Sequence, residues 1–388
     1  MSVTAAKGFE AAGVSAGIRP SGKPDVALVR SVVAAVGGAM WTQNRVQAAP
    51  VVVSRAHLGA AEPQAVVVNA GVANAATGSA GENDARETAA DVAERLGLRR
   101  EEVVVLSTGV IGPRLPMRKL ETGVAAAVAA LSPDGGSGAS EAILTTDAGP
   151  KTAVATGAGF TVGGMAKGAG MIHPRLATML AVVTTDYPLA AGEATSFLRP
   201  AVDSSFNRIS VDGDCSTNDA VVILANSASR VERDGATDAR FAEALHEVCA
   251  ELARQIVADG EGATVVLEID VAGAATDDEA HAIALRIATS PLVKTAAFGR
   301  DPNWGRVLAA AGSAPWNGGF ARLEPERLRV SFDGTEVFAS GAPTGAVPQL
   351  GGPACRIALE LGLGSGTAGY LASDLSVDYV RLNAEYTT

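Results

Sequence analysis

A glycine-rich segment that carries one lysine leads into a threonine at the start of an apolar run. The segment covers residues 163–173 and includes Lys167; it continues to Ala177-Thr178 and the strand-like stretch Met179–Val183. A threonine at the first position of a strand can attack the carbonyl group that precedes it, if the backbone is strained and the neighbours are small. The sequence therefore predicts a loop that permits self-cleavage between Ala177 and Thr178.

Cleavage at this bond would make Thr178 a nucleophile that carries its own base. The freed α-amine has an unperturbed pKa of roughly 7.7–8.0, close to neutral pH. It can accept the proton of the threonine hydroxyl, which is a weak nucleophile unaided. This chemistry is that of an N-terminal-nucleophile enzyme acting on an acyl group. On composition alone the same segment could be a tight connection between two strands.

The glycine pattern Gly364-Ser-Gly366-Thr-Ala-Gly369 matches the letters of a dinucleotide-binding loop. That loop works between a strand and a helix, with an acidic residue about 20 positions further on. Too little chain follows Gly369 for this arrangement, and Tyr370 begins a strand-like run. A glycine-rich turn is the better interpretation, and no cofactor site is expected.

The sequence gives little support for catalysis or metal binding by histidine or cysteine. The histidines are isolated and have no serine or cysteine at a recognisable spacing, although a triad can be assembled in space. They are His57, His173, His246 and His281. The three cysteines are too scattered for a zinc site or a disulfide framework, which favours free thiols and predicts no metal.

Composition excludes several classes of protein. The 388 residues are 47% hydrophobic and carry a formal net charge of −11, which argues against nucleic acid as a partner. No apolar run approaches the roughly 20 residues of a membrane span. The first residues lack the apolar stretch of a signal peptide. We expect a soluble, cytoplasmic protein that binds neither nucleic acid nor membranes.

The elements that must position Thr178 are predicted to include both strands and helices. In the first half, strands are predicted at Ala65–Val68 and Val103–Leu106, and helices from Asn83 to Gly97 and from Pro116 to about Leu131. Residues 132–138 are predicted to be a surface loop.

The second half has clearer signals. Val221–Leu224 is predicted to be a strand, and residues 241–256 carry a helical apolar face. Alternation over Val265–Val271 predicts a half-exposed strand, Thr276 with Glu279 a capping box, and Asp333-Gly334 a type I′ hairpin turn. Hairpins mixed with helices favour an α+β layered sandwich, with mixed sheets and helices on their faces.

Residues 167–180 resemble the self-cleavage site of the ornithine acetyltransferases, also called glutamate N-acetyltransferases. Further segments follow in family order over nearly the whole chain. They are Lys7–Val14, Ser21–Asp25, Arg45–Val51, Ser107–Gly112, Thr145–Lys151, Phe206–Asp219, Asp259–Thr264, Leu292–Arg306 and Tyr379–Thr388. The resemblance implies the layered sandwich of self-cleaving threonine-nucleophile enzymes.

The resemblance also implies a role for each matching residue. Thr178 is the nucleophile and the first residue of a second chain, so the products are chains 1–177 and 178–388, the latter with a C-terminal subdomain from about residue 270. Thr108 and Gly109 form the oxyanion hole. The amino-acid pocket is implied to be lined by Thr145, Lys167, Thr178, Glu261, Asn383 and Thr388.

The implied reaction moves an acetyl group from N-acetylornithine to glutamate through an acetyl-threonine intermediate, with ping-pong kinetics. It belongs to arginine biosynthesis or to a related secondary pathway. Lys167 suits a substrate carboxylate, and Glu261 suits the ammonium group of ornithine. The resemblance implies an α2β2 assembly of cleaved chains, with no metal or organic cofactor. The family includes enzymes that also use acetyl-CoA, and the absence of a phosphate-binding motif favours N-acetylornithine alone.

Two alternatives use the same scaffold. An N-terminal-nucleophile amidase or aminopeptidase would pass the acyl group to water. A binding protein without turnover is the other, and it draws on departures from the family pattern at Val72 and His173. Trp41 and Arg175 are further departures, and His173 is interpreted as a surface loop residue.

Overall fold

The computed structural model describes residues 2–173 and 179–385. Ala177, Thr178 and Thr388 lie outside these residues. Within them the chain divides into two compact units. The first unit comprises residues up to 207 and residues 214–256, and the second comprises residues 208–213 and those from 257 onward.

A four-stranded sheet opens the first unit. Its strands, in spatial order, are β1 (Phe9–Val14), β2 (Val26–Ser31), β4 (Ala65–Val72) and β5 (Val103–Val110). The first three are antiparallel neighbours, whereas β4 and β5 run parallel. Valine-rich segments such as 65–68 and 103–106 are buried on both faces, which is the pattern of strands at the centre of a layered fold.

A five-stranded sheet forms the second layer of this unit. In spatial order it contains β3 (Val36–Trp41), β10 (Ala220–Ala225), β8 (Leu180–Thr185), β7 (Thr161–Lys167) and β6 (Lys151–Thr156). The central strand β8 is parallel to β10 and antiparallel to β7. The predicted cleavage site therefore immediately precedes the central strand of this sheet.

Helices pack around the two sheets of the first unit, and one of them, Gly136–Ala142, contributes to the apolar layer between the sheets. They are α1 (Ala49–Leu58), α2 (Gly78–Leu96), α3 (Met117–Ala129), α4 (Gly136–Ala142), α5 (Ala194–Asp203) and α6 (Gly235–Ala258), with a 3-10 turn at Arg100–Glu102. Alternate residues of the first sheet, such as Val67 and Val105, pack against α2 and α3. The residues between them, such as Val66 and Leu106, pack against the second sheet. The two-residue period of the strands thus builds two apolar layers at once.

The second unit is a seven-stranded sheet with helices. Its sheet order is β16 (Ala342–Pro343), β15 (Thr335–Ala339), β14 (Arg329–Phe332), β17 (Ala354–Glu360), β11 (Val266–Ala274), β18 (Gly366–Ser373) and β9 (Ile209–Ser210). The remaining elements are the ribbon β12 (Pro315–Trp316) and β13 (Gly319–Phe320), a 3-10 turn at Phe206–Arg208, and the helices α7 (Asp277–Ala288), α8 (Pro291–Phe298), α9 (Trp304–Gly312) and α10 (Val377–Glu385).

Several local predictions are confirmed in detail. β11 alternates between buried and half-buried residues, and the Thr276 hydroxyl accepts the Glu279 N–H at 3.2 Å. Asp333 and Gly334 have φ values of 46° and 81°, as a type I′ turn requires. The mixed sheets with helices on their faces make the fold α+β, as expected.

Several boundaries were predicted wrongly, and for the first two below the reason is that glycine serves packing rather than a loop. The start of the segment expected to be a glycine-rich loop is strand β7: a Cβ on Gly164 would lie 2.8 Å from Val248, so glycine lets α6 approach. Residues 136–138 belong to helix α4, where a Cβ on Gly13 of the facing strand would lie 1.9 Å from Gly138 O. Helix α2 begins at Gly78 rather than Asn83.

Candidate active site

Thr108 and Gly109 lie where strand β5 leaves its regular course. Thr108 is buried, and Gly109 has φ +130°, a conformation that side-chain-bearing residues rarely adopt. A Cβ on Gly109 would lie 2.2 Å from the carbonyl carbon of Gly71, which itself has φ +110°. The pairing of β4 with β5 shifts register at Gly71 and Val72. Both glycines are therefore required by this bend.

Buried polar side chains hold this bend in place. Ser107 Oγ donates to Asn69 Oδ1 at 2.6 Å, and Asn69 Nδ2 donates to Val72 O at 2.8 Å. The side chain of Val72, a departure from the family pattern, packs against the apolar layer under α2 and α3. The polar contact at position 72 is thus made by the main chain.

Asn218 joins the bend to the second sheet. Its amide Nδ2 donates to Ala73 O at 2.7 Å and to Ser107 O at 2.9 Å. Asn218 immediately precedes Asp219, whose Oδ1 accepts the N–H of Met179 at 2.9 Å. The dipeptide Asn218-Asp219 is therefore hydrogen-bonded to Ser107, which precedes Thr108, and to Met179, which follows Thr178.

Asp219 is a buried acid with an incomplete set of partners. Its side chain is fully buried, and among residues 2–173 and 179–385 its Oδ2 has no hydrogen-bond partner. Burial raises the pKa of this carboxyl group well above its usual range, opposed by the Met179 N–H, by the charge of Lys167 and by the nearby hydroxyls of Ser216 and Thr42.

Asp147 is the opposite case, a buried acid with many partners. Its side chain is 0% exposed; Oδ1 accepts from Lys151 Nζ at 2.7 Å and from Gly168 N at 2.6 Å. Oδ2 accepts from Thr145 N at 2.9 Å and lies 3.9 Å from Lys167 Nζ. Burial alone would raise the pKa of Asp147, but the charges of Lys167 and Lys151 outweigh it and hold the pKa well below its usual range.

The structure thus brings Thr145 and Lys167 together around Asp147. Lys167 was expected in a loop and is the last residue of β7, where it pairs with Leu180 of β8. Its side chain is nearly buried rather than solvated, at 4% exposed.

Glu261 and Asn383 lie in the second unit and contact each other. Asn383 Nδ2 donates to Glu261 Oε2 at 2.9 Å, and it also donates to Tyr379 O within α10. The turn at Glu261 is held to the start of α10, because Ser376 Oγ donates to Gly262 O at 2.6 Å. These two predicted pocket residues therefore form one pair, with Asn383 exposed on its helix.

Three residues of this region were not singled out from the sequence: Asp147, Asn218 and Asp219. All three lie inside segments that carry the family resemblance. Asn218 and Asp219 directly precede a fully buried strand, a position at which a polar side chain either caps the strand or serves a site. Asp147 stands between Thr145 and Lys151, and only the fold shows that all three meet.

Neither a metal-binding cluster nor a membrane-spanning helix is present among the described residues. Within the described ranges, no group of three or more histidine, cysteine, aspartate or glutamate side chains could hold a metal ion. None of the helices in that part of the chain is both long and apolar enough to cross a membrane.

This chain is similar to known proteins over its whole length. The model of the ArgJ family matches residues 10–388. The arginine biosynthesis bifunctional protein ArgJ of Thermobifida fusca is 46% identical over 391 residues, covering 100% of both chains. Its namesake from Streptomyces coelicolor is 46% identical over 392 residues, again covering 100% of each.

Two solved structures are similar over about half of this chain. The ornithine acetyltransferase of Mycobacterium tuberculosis, crystallised with ornithine, is 46% identical with a TM-score of 0.41, covering 45% of this chain and 94% of its own. The arginine biosynthesis bifunctional protein of Bacillus halodurans is 36% identical with a TM-score of 0.49, covering 52% of this chain and 97% of its own.

Proposed function

This chain belongs to the ArgJ family, and on that premise we propose that it is an acyltransferase of arginine biosynthesis that moves an acetyl group from N-acetylornithine to glutamate. The observation that carries the proposal is 46% identity to a relative named for arginine biosynthesis over the full length of both chains. The same family match favours glutamate N-acetyltransferase over the amidase alternative.

Thr178 is the proposed nucleophile, activated by its own α-amine after cleavage of the Ala177–Thr178 bond. Its hydroxyl attacks the acetamide carbonyl of N-acetylornithine, and negative charge develops on the carbonyl oxygen. The hydroxyl of Thr108 and the N–H of Gly109 are the proposed donors to that oxygen. Their support is the bend at Gly109, which the Asn69, Ser107 and Asn218 side chains hold rigid. Fixed donors of this kind lower the barrier without reorganisation.

Ornithine then leaves and the acetyl group stays on Thr178. The amine of glutamate attacks this ester, receives the acetyl group and restores the free threonine. Donor and acceptor thus use one site in turn, which gives ping-pong kinetics.

Substrate recognition is proposed to use Thr145, Lys167, Glu261, Asn383 and Thr388 beside Thr178. The Asp147 carboxylate supports the first two, because it bonds the backbone of Thr145 and lies beside the ammonium of Lys167. The ammonium group of Lys167 suits the carboxylate of either amino acid. Glu261 carries the opposite charge and suits the side-chain ammonium of ornithine.

The proposed cleavage would leave the two products joined by the sheet. β7 and β8 flank the cleaved bond and pair over six residues, from Val162 with Thr185 to Lys167 with Leu180. Chains 1–177 and 178–388 would therefore stay together in one fold, and two such pairs would form the α2β2 assembly. The proposed location is the cytoplasm, where amino-acid biosynthesis takes place.

Two experiments test the proposal. On a denaturing gel, the purified protein should run as two chains and Thr178→Ala as one. Incubation of the wild type with N-acetylornithine and glutamate should yield N-acetylglutamate, with little free acetate when glutamate is omitted.

The other outcomes identify the alternatives. Release of acetate at the same rate without glutamate would identify a hydrolase. A cleaved protein that releases neither product would be a binding protein.

A further inference from the structure

The Glu261 carboxylate has one oxygen engaged and one open. Asn383 Nδ2 donates to its Oε2 at 2.9 Å. Within residues 2–173 and 179–385, Oε1 has no hydrogen-bond partner, and no cation lies in an ion pair with this carboxylate. Glu261 is half-buried and Asn383 is exposed, so solvent reaches the pair. The pair therefore presents a negatively charged oxygen that can accept an N–H from a ligand.

A closed ring of hydrogen bonds in the second unit holds this pair, and it passes through Ser376. Ser376 Oγ donates to Gly262 O at 2.6 Å and accepts the N–H of Tyr379 at 3.1 Å. Tyr379 O in turn accepts from Asn383 Nδ2 at 3.1 Å. Because Gly262 directly follows Glu261, the ring joins the carboxylate and the amide through one serine hydroxyl.

Helix α10, which carries Asn383, depends on this hydroxyl for its position. Ser376 directly precedes the helix and is 4% exposed. A serine that accepts the N–H of the third helical residue typically stabilises the start of a helix by about 1 kcal/mol. None of the nine residues of α10 is buried, so apolar packing within this chain does not fix the helix. Polar contacts such as those of Ser376 therefore decide where the Asn383 amide lies.

The turn that follows Glu261 is fixed from two sides. Gly262 has φ +65°, and a Cβ on it would lie 2.3 Å from Tyr379 N, so glycine lets the turn approach α10. Asp374 is buried, and it accepts the N–H of Thr264 at 2.8 Å and the Thr264 hydroxyl at 2.5 Å. The Ser376 hydroxyl thus links a helix without buried residues to an anchored turn.

From this ring of contacts we propose that Ser376 is a positioning residue for recognition of the side-chain ammonium group of N-acetylornithine. Its hydroxyl holds Glu261 and Asn383 so that the amide occupies one carboxylate oxygen and the other remains for the ligand. An ammonium group is a compact charge with three donors, which suits a single carboxylate oxygen. The inference rests on the proposed function and adds the residue that sets the geometry of Glu261.

This role predicts that the two substrates respond differently. The side chain of N-acetylornithine carries a cation that is complementary to Glu261, whereas the side chain of glutamate carries none. Displacement of the Glu261 carboxylate should therefore weaken binding of the acetyl donor and not of the acceptor. General damage to the fold or to the nucleophile would impair the reactions of both.

The first test is Ser376→Ala in the full-length, cleaved enzyme, with both substrates varied in steady-state kinetics. We expect the KM for N-acetylornithine to rise at least about tenfold, as for a weakened hydrogen bond to a charged group. The KM for glutamate should not rise, and kcat should stay within about twofold of the wild-type value, because saturating donor restores the bound state.

Two variants are the controls. Ser376→Thr keeps the hydroxyl and should restore the KM for N-acetylornithine to near the wild-type value. Ser290→Ala removes a second buried serine of the same unit, which caps α8 by accepting the N–H of Val293. It should leave both KM values unchanged. An equal rise in the KM for N-acetylornithine in Ser290→Ala would show a general effect of losing a helix cap and would overturn the proposal.

A double variant tests whether Ser376 acts through Glu261. Glu261→Gln should by itself raise the KM for N-acetylornithine, and adding Ser376→Ala should then change it by less than about twofold. Effects that multiply would show that Ser376 acts elsewhere and would overturn the proposal. A wild-type KM in Ser376→Ala would do so too. An insoluble Ala variant would also contradict it, since the hydroxyl would then be needed for folding itself.

These outcomes are distinct from a failure of the proposed function. If the wild type does not transfer acetyl groups from N-acetylornithine to glutamate, or if Glu261→Gln leaves the KM for the donor unchanged, the proposed function or its recognition of the ammonium group is wrong. If Glu261→Gln raises that KM and Ser376→Ala does not, the proposed function stands and the role of Ser376 is wrong.

Discussion

Two buried aspartates that precede strands of the same sheet, Asp147 and Asp219, have pKa values shifted in opposite directions. Asp147 accepts from Lys151, Gly168 and the backbone of Thr145, and its pKa is lowered. Asp219 has one firm donor, the Met179 N–H, and its pKa is raised. Burial acts on both in the same direction, so the partners alone decide the sign of the shift.

The difference shows that hydrogen bonds and neighbouring cations decide whether a buried carboxyl group stays ionised. A carboxylate satisfied on both oxygens orders its neighbours and stays ionised. A buried carboxyl group with weaker support from its neighbours is more readily protonated. The charge of Lys167 lowers the pKa of both acids.

The largest expected effect is on the satisfied acid. Asp147→Asn removes the charge between Lys151 and Lys167, and breaking a buried ion pair typically costs about 3–5 kcal/mol. We expect the free energy of unfolding to fall by that amount in chemical denaturation. A loss below about 1 kcal/mol would contradict the view of Asp147 as the support of both lysines.

The second-largest expected effect is on kcat, and it follows from loss of the Thr108 hydroxyl, a proposed oxyanion donor. Thr108→Val keeps the shape and removes the hydroxyl, so kcat should fall by about 10²–10³ while the chain is still folded. Thr108→Ser keeps the hydroxyl and is the control. Equal kcat in both variants would remove Thr108 from the mechanism.

A buried lysine of the second unit extends the comparison to a cation. Burial lowers the pKa of Lys294 to about 8, opposed by the charges of Asp374 and Asp212, and its Nζ donates to Ser373 O. Because the unfolded chain holds this proton up to a pKa near 10.5, folding stability rises with pH between about 8 and 10.5.

Lys294→Met should remove this dependence. Relative to that variant, the wild type should gain about 3 kcal/mol of unfolding free energy across the window. Parallel stability curves for the two proteins would show that Lys294 keeps its ordinary pKa.

The smallest effect concerns Asp219. A raised pKa in the folded state means that Asp219 favours folding at low pH, and that this contribution is lost as pH rises through the folded pKa. Asp219→Asn should therefore gain stability relative to wild type above an acidic pH of about 4, by up to about 1.4 kcal/mol per pH unit in that window. Denaturation at a series of pH values measures how this stability difference changes with pH. A change of the opposite sign would mean that the pKa of Asp219 is lowered, as that of Asp147 is.

Local patterns in the sequence predicted much of the fold. The alternation of β11, the Thr276 cap and the Asp333-Gly334 turn depend on neighbours in the chain, and all are present. Strand β7 was missed because its glycines indicate a loop, whereas Gly164 allows the close approach of α6 and Gly163 that of the Ser2 backbone.

The candidate site was predictable only in part. Family resemblance supplied Thr145 and Lys167, but whether a buried acid is satisfied depends on contacts that are distant in sequence. Gly168 lies 21 residues from Asp147, and Met179 lies 40 residues from Asp219. No local pattern gives those pairings, so the contrast between the two acids appears only in the fold.

Intact mass spectrometry of the purified protein after exposure to N-acetylornithine tests the central claim most directly. The account predicts two chains that meet between Ala177 and Thr178, with one added acetyl group on the chain that begins at Thr178. A single unbroken chain in protein that still makes N-acetylglutamate would contradict it.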